Sequence, residues 1–276
     1  MLIVDSQVHI WGADTPDRPW PKRAEAQRPI PLDANDLLRE MNEAGVDRVI
    51  IVPPSWEGDR NDLGIAASAA HSDRFAVMGR LDPQDPRSRG KLATWRKQTG
   101  MLGLRFTFHI PVLVSLLTDG HMDWVWGEAE KAGVPIYVLV PQTLVHLIDK
   151  VAEKYPGLKL TMDHLALSSS KKDAEAFRDL DMLLAIAKRP NVAAKASALP
   201  CYSTGKYPYR ELQDYIRRVY DAFGPKRMFW GTDLSRSPIP YRQHVTMFTE
   251  EIPWLTSDDK EWIMGRGVCE WLGWKI

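Results

Sequence analysis

Short apolar runs alternate along this chain with amphipathic stretches, and several of those stretches end on glycine shortly before the next run. Gly45 precedes the apolar run 48–53, and Gly133 precedes the run 134–140. A glycine at a helix C-terminus followed by a β-rich run is typical of a helix-to-strand connection. The pattern therefore predicts a chain built from repeated α-to-β units.

Eight apolar runs have the length and composition of strands. They lie at 2–9, 48–53, 75–81, 101–107, 134–140, 158–164, 191–197 and 226–233. Helical patterns fill most of the intervals, such as the stripe that follows a capping residue at Asp33 and the segment 142–154. Eight alternations within 276 residues favour an α/β fold of the closed (β/α)8 TIM-barrel type over an open doubly wound sheet. We predict one domain over residues 1–276.

Two segments fall outside the repeat and are predicted to be active-site loops. Residues 12–31 are rich in proline and charge, and residues 198–210 contain two prolines and a glycine around Cys201 and Tyr202. Each follows the carboxyl end of a predicted strand, which is the face where barrels of this type carry their active sites.

Composition narrows the classes of partner and compartment. Lys plus Arg (36) equals Asp plus Glu (36), so the net charge predicts no general affinity for nucleic acid or for an anionic membrane. The cysteines, Cys201 and Cys269, lack metal-ligand spacing and suit a reducing compartment. With neither a signal-peptide pattern nor an apolar run of membrane-spanning length, we expect a cytoplasmic protein, and a homo-oligomer stays open.

Polar residues gather where the predicted strands end. Residues i and i+2 of a strand point the same way, so Asp5, Gln7 and His9 are predicted to share a face. The other strand-end residues are Arg80, Arg105, His164, Lys195, Ser197 and Asp233. Their convergence at one end of a barrel predicts an enzyme, because active sites of this fold are assembled from strand ends and the loops after them.

Three of these segments resemble landmarks of the amidohydrolase superfamily. They are Asp-x-x-x-His-x-Trp at residues 5–11, Met-Asp-His-Leu at 162–165 and Gly-Thr-Asp at 231–233, which occur in the expected order from strand one to strand eight. The likeness is to the "amidohydrolase 2" branch, which includes sugar-lactone and pyrone-dicarboxylate lactonases as well as decarboxylases. It implies a hydrolase acting on a small molecule.

The resemblance also raises the question of a metal. Metal-dependent members typically carry His-x-His on strand one, histidines on strands five and six, and an aspartate on strand eight. Here Gln7 replaces the first histidine, and the predicted fifth strand contains none. We therefore expect no bound cofactor, while His9, His164 and Asp233 stay open as ligands of one zinc ion with water in the fourth position.

Members of the lactonase branch that work without metal give the retained residues roles. Asp233 is predicted to accept a proton from the attacking water, and His9 and His164 to polarise the lactone carbonyl. Arg105 and Arg80 are predicted to bind a substrate carboxylate, since a guanidinium engages both carboxylate oxygens at once. An anionic substrate follows as a hypothesis.

Other residues are candidates for the pocket wall and the site floor. Arg236 is a third candidate for the carboxylate, and the remaining ones are Gln7, Trp11, Trp56, Lys195 and Tyr202. Arg80 and Arg105 could instead pair with buried acids. We predict an Asp-activated hydrolase of a carboxylated lactone; the rivals are a zinc-dependent decarboxylase or hydrolase, and a barrel that only binds an anionic metabolite.

Overall fold

Eight parallel strands form one nearly closed barrel, in a computed structural model that describes residues 1–22 and 24–276. The strands are β1 (Val4–Val8), β2 (Arg48–Ile51), β3 (Phe75–Gly79), β4 (Met101–Thr107), β5 (Ile136–Leu139), β6 (Leu160–Met162), β7 (Val192–Ser197) and β8 (Met228–Gly231). Each pairs with the next along the chain. Every strand lies inside its predicted range, and the predicted (β/α)8 fold is confirmed.

Helices pack around the outside of the barrel. The helices are α1 (Ala34–Ala44), α2 (Asp62–Ala70), α3 (Pro111–Thr118), α4 (Asp123–Ala132), α5 (Val145–Lys154), α6 (Asp173–Phe177), α7 (Leu180–Ile186), α8 (Gln213–Phe223), α9 (Tyr241–Thr249), α10 (Ser257–Glu261) and α11 (Gly267–Leu272). Between β3 and β4 the described chain forms only 3-10 turns, Pro86–Ser88 and Lys91–Lys97. Local chemistry sets helix ends: Asp33 accepts the Asp36 N–H at 2.8 Å, and Gly45 ends α1 with φ 75°.

Side-chain and backbone hydrogen bonds join the last strand to the first. The Asp5 carboxylate accepts the Thr232 N–H at 2.9 Å and the Tyr241 hydroxyl of α9 at 2.9 Å. Nearby, the Asp233 N–H donates to the Gln7 carbonyl at 3.0 Å. The register of β1 is irregular between Asp5 and Val8. The prediction that Asp5 shares the inward face of Gln7 was therefore wrong, because the irregularity turns Asp5 toward the seam.

The two ends of the barrel differ. At the amino-terminal end, α11 packs Val268 and Leu272 against the inward residues Val4 and Phe229, and this cluster closes the interior. A larger apolar layer lies between the strands and the surrounding helices. The carboxyl end is left as the face open to solvent, which is where barrels of this type place their sites.

The two predicted loops lie at that open end, although residue 23 of the first lies outside the described residues. In the first, Arg28 donates to the Leu234 carbonyl at 2.9 Å, so the loop is tied to the turn after β8. The second begins with a 3-10 turn, Leu199–Tyr202. Among the described helices, none combines the length and apolar character needed to cross a membrane.

Candidate active site

A cavity of about 360 Å³ opens at the carboxyl end of the barrel. His9, His164 and Asp233 all contribute to its wall, although more than 200 positions separate the first from the last. The wall also includes Gln27, Ser55, Trp56, Arg105, Thr107, His109, Leu139, Pro141, Leu167, Ser168, Ser169, Tyr202 and Arg236. The structure thus brings the three predicted catalytic residues together around one space.

His9 follows β1 directly, and its imidazole is held at both nitrogens. Nδ1 lies 2.5 Å from the Val52 carbonyl oxygen, and Nε2 lies 3.2 Å from Asp233 Oδ1. A carbonyl oxygen only accepts, so Nδ1 carries a hydrogen. Nε2 therefore faces the Asp233 carboxylate as a lone pair unless one further proton is present. The geometry is that of two groups able to share one proton.

His164 lies in a turn after β6 whose backbone is left-handed over three residues. The φ angles are 50° at His164, 54° at Leu165 and 57° at Ala166. Such conformations are unfavourable for residues with a Cβ and concentrate at functional sites. The His164 ring lines the cavity, and its Nδ1 lies 2.7 Å from Oγ of the fully buried Ser197. Burial lowers the pKa of His164 to about 3, so the imidazole is neutral near pH 7.

Asp233 lies two residues after β8, also with a left-handed backbone (φ 52°). Its Oδ2 lies 2.6 Å from Arg236 Nε and 3.7 Å from His164 Nε2. Burial alone would raise the pKa of this carboxyl, but the Arg236 charge and the contact with His9 hold it well below its usual range. Asp233 is therefore an ionised carboxylate between two imidazoles.

Arg105 lines the cavity beside Thr107, and its guanidinium is anchored from below. Arg105 Nε donates to Asp163 Oδ2 at 3.0 Å. The other oxygen of Asp163 lies 2.7 Å from Lys195 Nζ, which also donates to Gln7 Oε1 at 2.5 Å. Lys195, Gln7 and Asp163 are fully buried and lie beneath the cavity rather than in its wall.

The remaining predicted residues fall into two groups. Trp56 and Tyr202 line the cavity, and the Tyr202 hydroxyl lies 2.6 Å from Arg236 Nη2. Trp11 is buried behind Trp56, with the ring centroids 5.4 Å apart. Arg80 is outside the cavity wall and pairs with Asp59 at 3.3 Å. The structure therefore separates Trp11 and Arg80 from the residues that face the cavity.

Several residues of the site were not predicted from the sequence. Asp163 stands beside His164 in the motif that identified it, but its long-range partners Lys195 and Arg105 carry no local signal. Gln27 reaches the wall from the proline-rich loop, and the serines at 168 and 169 follow the strained turn. The two serines follow the end of a predicted strand closely, and that position is the sequence signal that points to them.

The side chains at the site differ from the ligand set that the resemblance associates with a metal. Within residues 1–22 and 24–276, no group of three or more His, Cys, Asp or Glu side chains is arranged to hold a metal ion. Gln7, in place of a histidine, gives its amide oxygen to the Lys195 ammonium, and β5 presents Tyr137 inward. Arg236 already engages Asp233. The chain therefore retains three of the ligands that the resemblance associates with a metal, His9, His164 and Asp233, and lacks the other two.

Comparisons with known proteins agree with this architecture. The family model described as "Amidohydrolase" matches residues 4–266. An L-fucono-1,5-lactonase from Burkholderia ambifaria is 25% identical over 245 residues, 83% of this chain and 79% of that protein. A zinc-bound amidohydrolase from Burkholderia multivorans superposes with a TM-score of 0.82 at 18% identity, covering 99% of each chain.

A further solved structure is that of a candidate 2-pyrone-4,6-dicarboxylic acid hydrolase from Pseudomonas putida. It superposes with a TM-score of 0.80 at 15% identity and covers 100% of this chain and 98% of its own. Identities this low support the fold, whereas the family model spans nearly the whole chain. The resemblance predicted from three short motifs is confirmed, and the chain belongs to the amidohydrolase family.

Proposed function

We propose that this protein hydrolyses a small carboxylated lactone, with Asp233 as the base that activates water and without a bound metal. The observation that carries the proposal is the meeting of His9, His164 and Asp233 at one cavity, with both imidazole Nε2 atoms within 3.7 Å of the carboxylate. The 25%-identical relative, named as a lactonase, supports the same reaction class.

The chemistry assigned to the three groups is a balanced ester hydrolysis. A water oxygen bonds to the lactone carbonyl carbon while Asp233 accepts a water proton. The Nε2–H of His164 donates to the oxyanion that forms, and His9 is a second donor when its Nε2 is protonated. The bond from that carbon to the ring oxygen then breaks, and the ring oxygen takes the proton from Asp233 to become a hydroxyl, which restores the carboxylate. The product is a hydroxy acid, which releases one proton to neutral solution.

A strongly lowered pKa makes Asp233 a weak base, and two features offset this. A lactone needs far less activation of its attacking water than an amide does. In addition, Arg236 fixes the carboxylate between the two imidazoles, so a water molecule hydrogen-bonded to it is held close to the reacting carbon. Weak basicity combined with tight positioning suits an activated ester.

The preference for an anionic substrate rests on the charges at the cavity and directly below it. Arg105, Lys195 and Arg236 face two carboxylates, Asp163 and Asp233. One positive charge is therefore in excess when the histidines are neutral. In a partly desolvated site this excess favours a substrate carboxylate, and Arg105 is the cation that faces the cavity on the side of Thr107 and His109.

The test is a panel of lactones assayed by proton release at pH 7, corrected for spontaneous opening. It pairs carboxylated five- and six-membered lactones with neutral hydroxylated ones of the same ring size. We expect turnover on the carboxylated members with kcat/KM at least about tenfold above the neutral ones. Turnover confined to neutral lactones would contradict the proposed preference for a carboxylated substrate. Absence of turnover on any lactone would favour a decarboxylase or a barrel that only binds anions.

A further inference from the structure

A row of four buried polar side chains, each in contact with the next, crosses the barrel interior beneath the cavity. It runs from Gln7 on β1 to Lys195 on β7, then to Asp163 after β6 and finally to Arg105 on β4. The successive distances are 2.5, 2.7 and 3.0 Å. Only the last member reaches the cavity wall. The row therefore connects β1, β7 and the start of the His164 turn to the Arg105 guanidinium on β4.

The anchoring of Arg105 leaves one edge of its guanidinium unused. An arginine beside a carboxylate is frequently bidentate, which takes up an Nη amine. Here Asp163 receives only Nε, because its other oxygen faces the Lys195 ammonium. Among the hydrogen bonds of the described residues, neither Nη of Arg105 takes part. Both Nη amines are thus available at the cavity, in the arrangement that receives a carboxylate.

The buried pair itself needs an explanation beyond stability. Taking a lysine and an aspartate out of water is expensive, and replacing a buried ion pair by apolar residues is often neutral or stabilising. Lys195 nevertheless lies fully buried, 3.9 Å from the Tyr137 ring centroid. Its position between an amide and a carboxylate fixes where the Asp163 oxygens point.

We propose that Lys195 is a positioning residue for substrate binding: by occupying one oxygen of Asp163, it limits Arg105 to an Nε contact and leaves the Nη edge for the substrate carboxylate. The inference rests on the proposed function for its substrate. It assigns Lys195 no contact with the reacting atoms.

The arrangement has a consequence for pH. Burial lowers the pKa of Lys195 to about 8, against the opposing effect of Asp163. The groups that face the ammonium are Gln7, Asp163, Arg105 and the Tyr137 ring, with Asp233 also acting through its charge. Lys195 is charged below pH 8 and loses its proton above it. The Arg105 edge is then free to rotate onto both oxygens of Asp163, and KM for a carboxylated lactone rises.

The experiment compares Lys195→Met with Arg105→Met and with Lys188→Met, a surface lysine that also pairs with an aspartate, Asp149. Lys195→Met leaves Asp163 paired with Arg105, so no buried charge is stranded. One readout is the affinity for citrate, a carboxylate probe that needs no turnover, measured by titration calorimetry at pH 7. The other is kcat and KM for a carboxylated and a neutral lactone from pH 7 to 9.

For Lys195→Met we expect citrate affinity and KM for the carboxylated lactone to worsen by about fivefold or more, with kcat within about twofold. KM in the wild type should rise above pH 8, and this rise should be absent in Lys195→Met. The Lys188→Met control should match the wild type in both readouts.

Three results would overturn the positioning role: unchanged citrate affinity, a loss confined to kcat, or an equal rise in KM for both lactones. The double variant Lys195→Met/Arg105→Met distinguishes the positioning role from direct attraction between the ammonium and the bound anion. The positioning role predicts less than about a twofold further change, because its effect passes through Arg105, whereas direct attraction predicts a full second loss.

Folding and the proposed function are checked separately. If Lys195→Met does not fold, Gln7→Leu removes the acceptor of the ammonium instead, and unchanged citrate affinity in that variant would count against the inference. If the wild type turns over no lactone, the proposed function fails while the citrate measurements still decide the role of Lys195.

Discussion

Replacing Asp233 with asparagine removes the proposed base and keeps the shape of the side chain. The amide has the size of the carboxylate but cannot accept the water proton. Asp233 has its three charged or titratable neighbours at 2.6 Å (Arg236), 3.2 Å (His9) and 3.7 Å (His164), so the substitution also deprives Arg236 of its nearest anion. Loss of a general base typically costs about 10²–10⁴ in rate, which corresponds to roughly 3–5 kcal/mol of barrier.

The structure predicts that this loss falls on kcat alone. With Asp233 neutral, the charge at the site becomes more positive by one, so a carboxylated lactone should bind at least as tightly as before. We expect kcat to fall about 10²–10⁴-fold while KM stays level or falls. The assay is proton release at pH 7, corrected for spontaneous hydrolysis. Asp181→Asn, at an exposed acid on α7 that pairs with Arg218, is the matched control.

The pH profile of the wild type supplies an independent check on the same base. Arg236 and His9 hold the pKa of Asp233 well below its usual range, so the carboxylate stays ionised as the pH falls through 6 and 5. Its ionisation should therefore produce no acid limb in kcat above about pH 4. Turnover by Asp233→Asn within about tenfold of the wild type would refute the reasoning, since some other group would then be the base.

Three further substitutions test the binding group, the ring orientation and the barrel seam. Arg105→Met should raise KM for carboxylated lactones by about 10–100-fold and leave KM for neutral ones within about twofold, in steady-state assays. Ser197→Ala should lower kcat by about tenfold with KM unchanged, because the His164 ring loses its 2.7 Å partner. Asp5→Asn should reduce the free energy of unfolding in urea by about 1–3 kcal/mol, since the amide nitrogen cannot accept the Thr232 and Tyr241 hydroxyl hydrogens that one carboxylate oxygen accepts. Equal KM changes for both lactone types would contradict the Arg105 prediction. A wild-type kcat in Ser197→Ala, or an unchanged unfolding midpoint in Asp5→Asn, would contradict the other two.

The fold was predictable because its signals are local. Each strand of a parallel barrel is buried on both faces and reads as a continuous apolar run, and turns such as Gly45 and Gly133 mark where helices end. The strand-end positions of His9, His164 and Asp233 follow from the same runs. Their meeting at one cavity then follows from closure of the barrel, because all parallel strands end at the same face.

The charge pairing could not be predicted in the same way. The partners of Lys195 lie 188 residues away at Gln7 and 32 residues away at Asp163, and no local pattern selects among the acids and amides of the chain. The wrong face for Asp5 had a different cause. Strict alternation along β1 was assumed, whereas the register of that strand is irregular.

The central claim is that His9, His164 and Asp233 carry out hydrolysis as an acid–base set without a metal ion. The most direct measurement is lactone turnover by protein stripped of metal with a chelator, with its metal content determined by elemental analysis, before and after zinc is added. The account predicts full turnover at negligible metal content and no gain with zinc. Turnover that disappears on stripping and returns with one equivalent of zinc would contradict it.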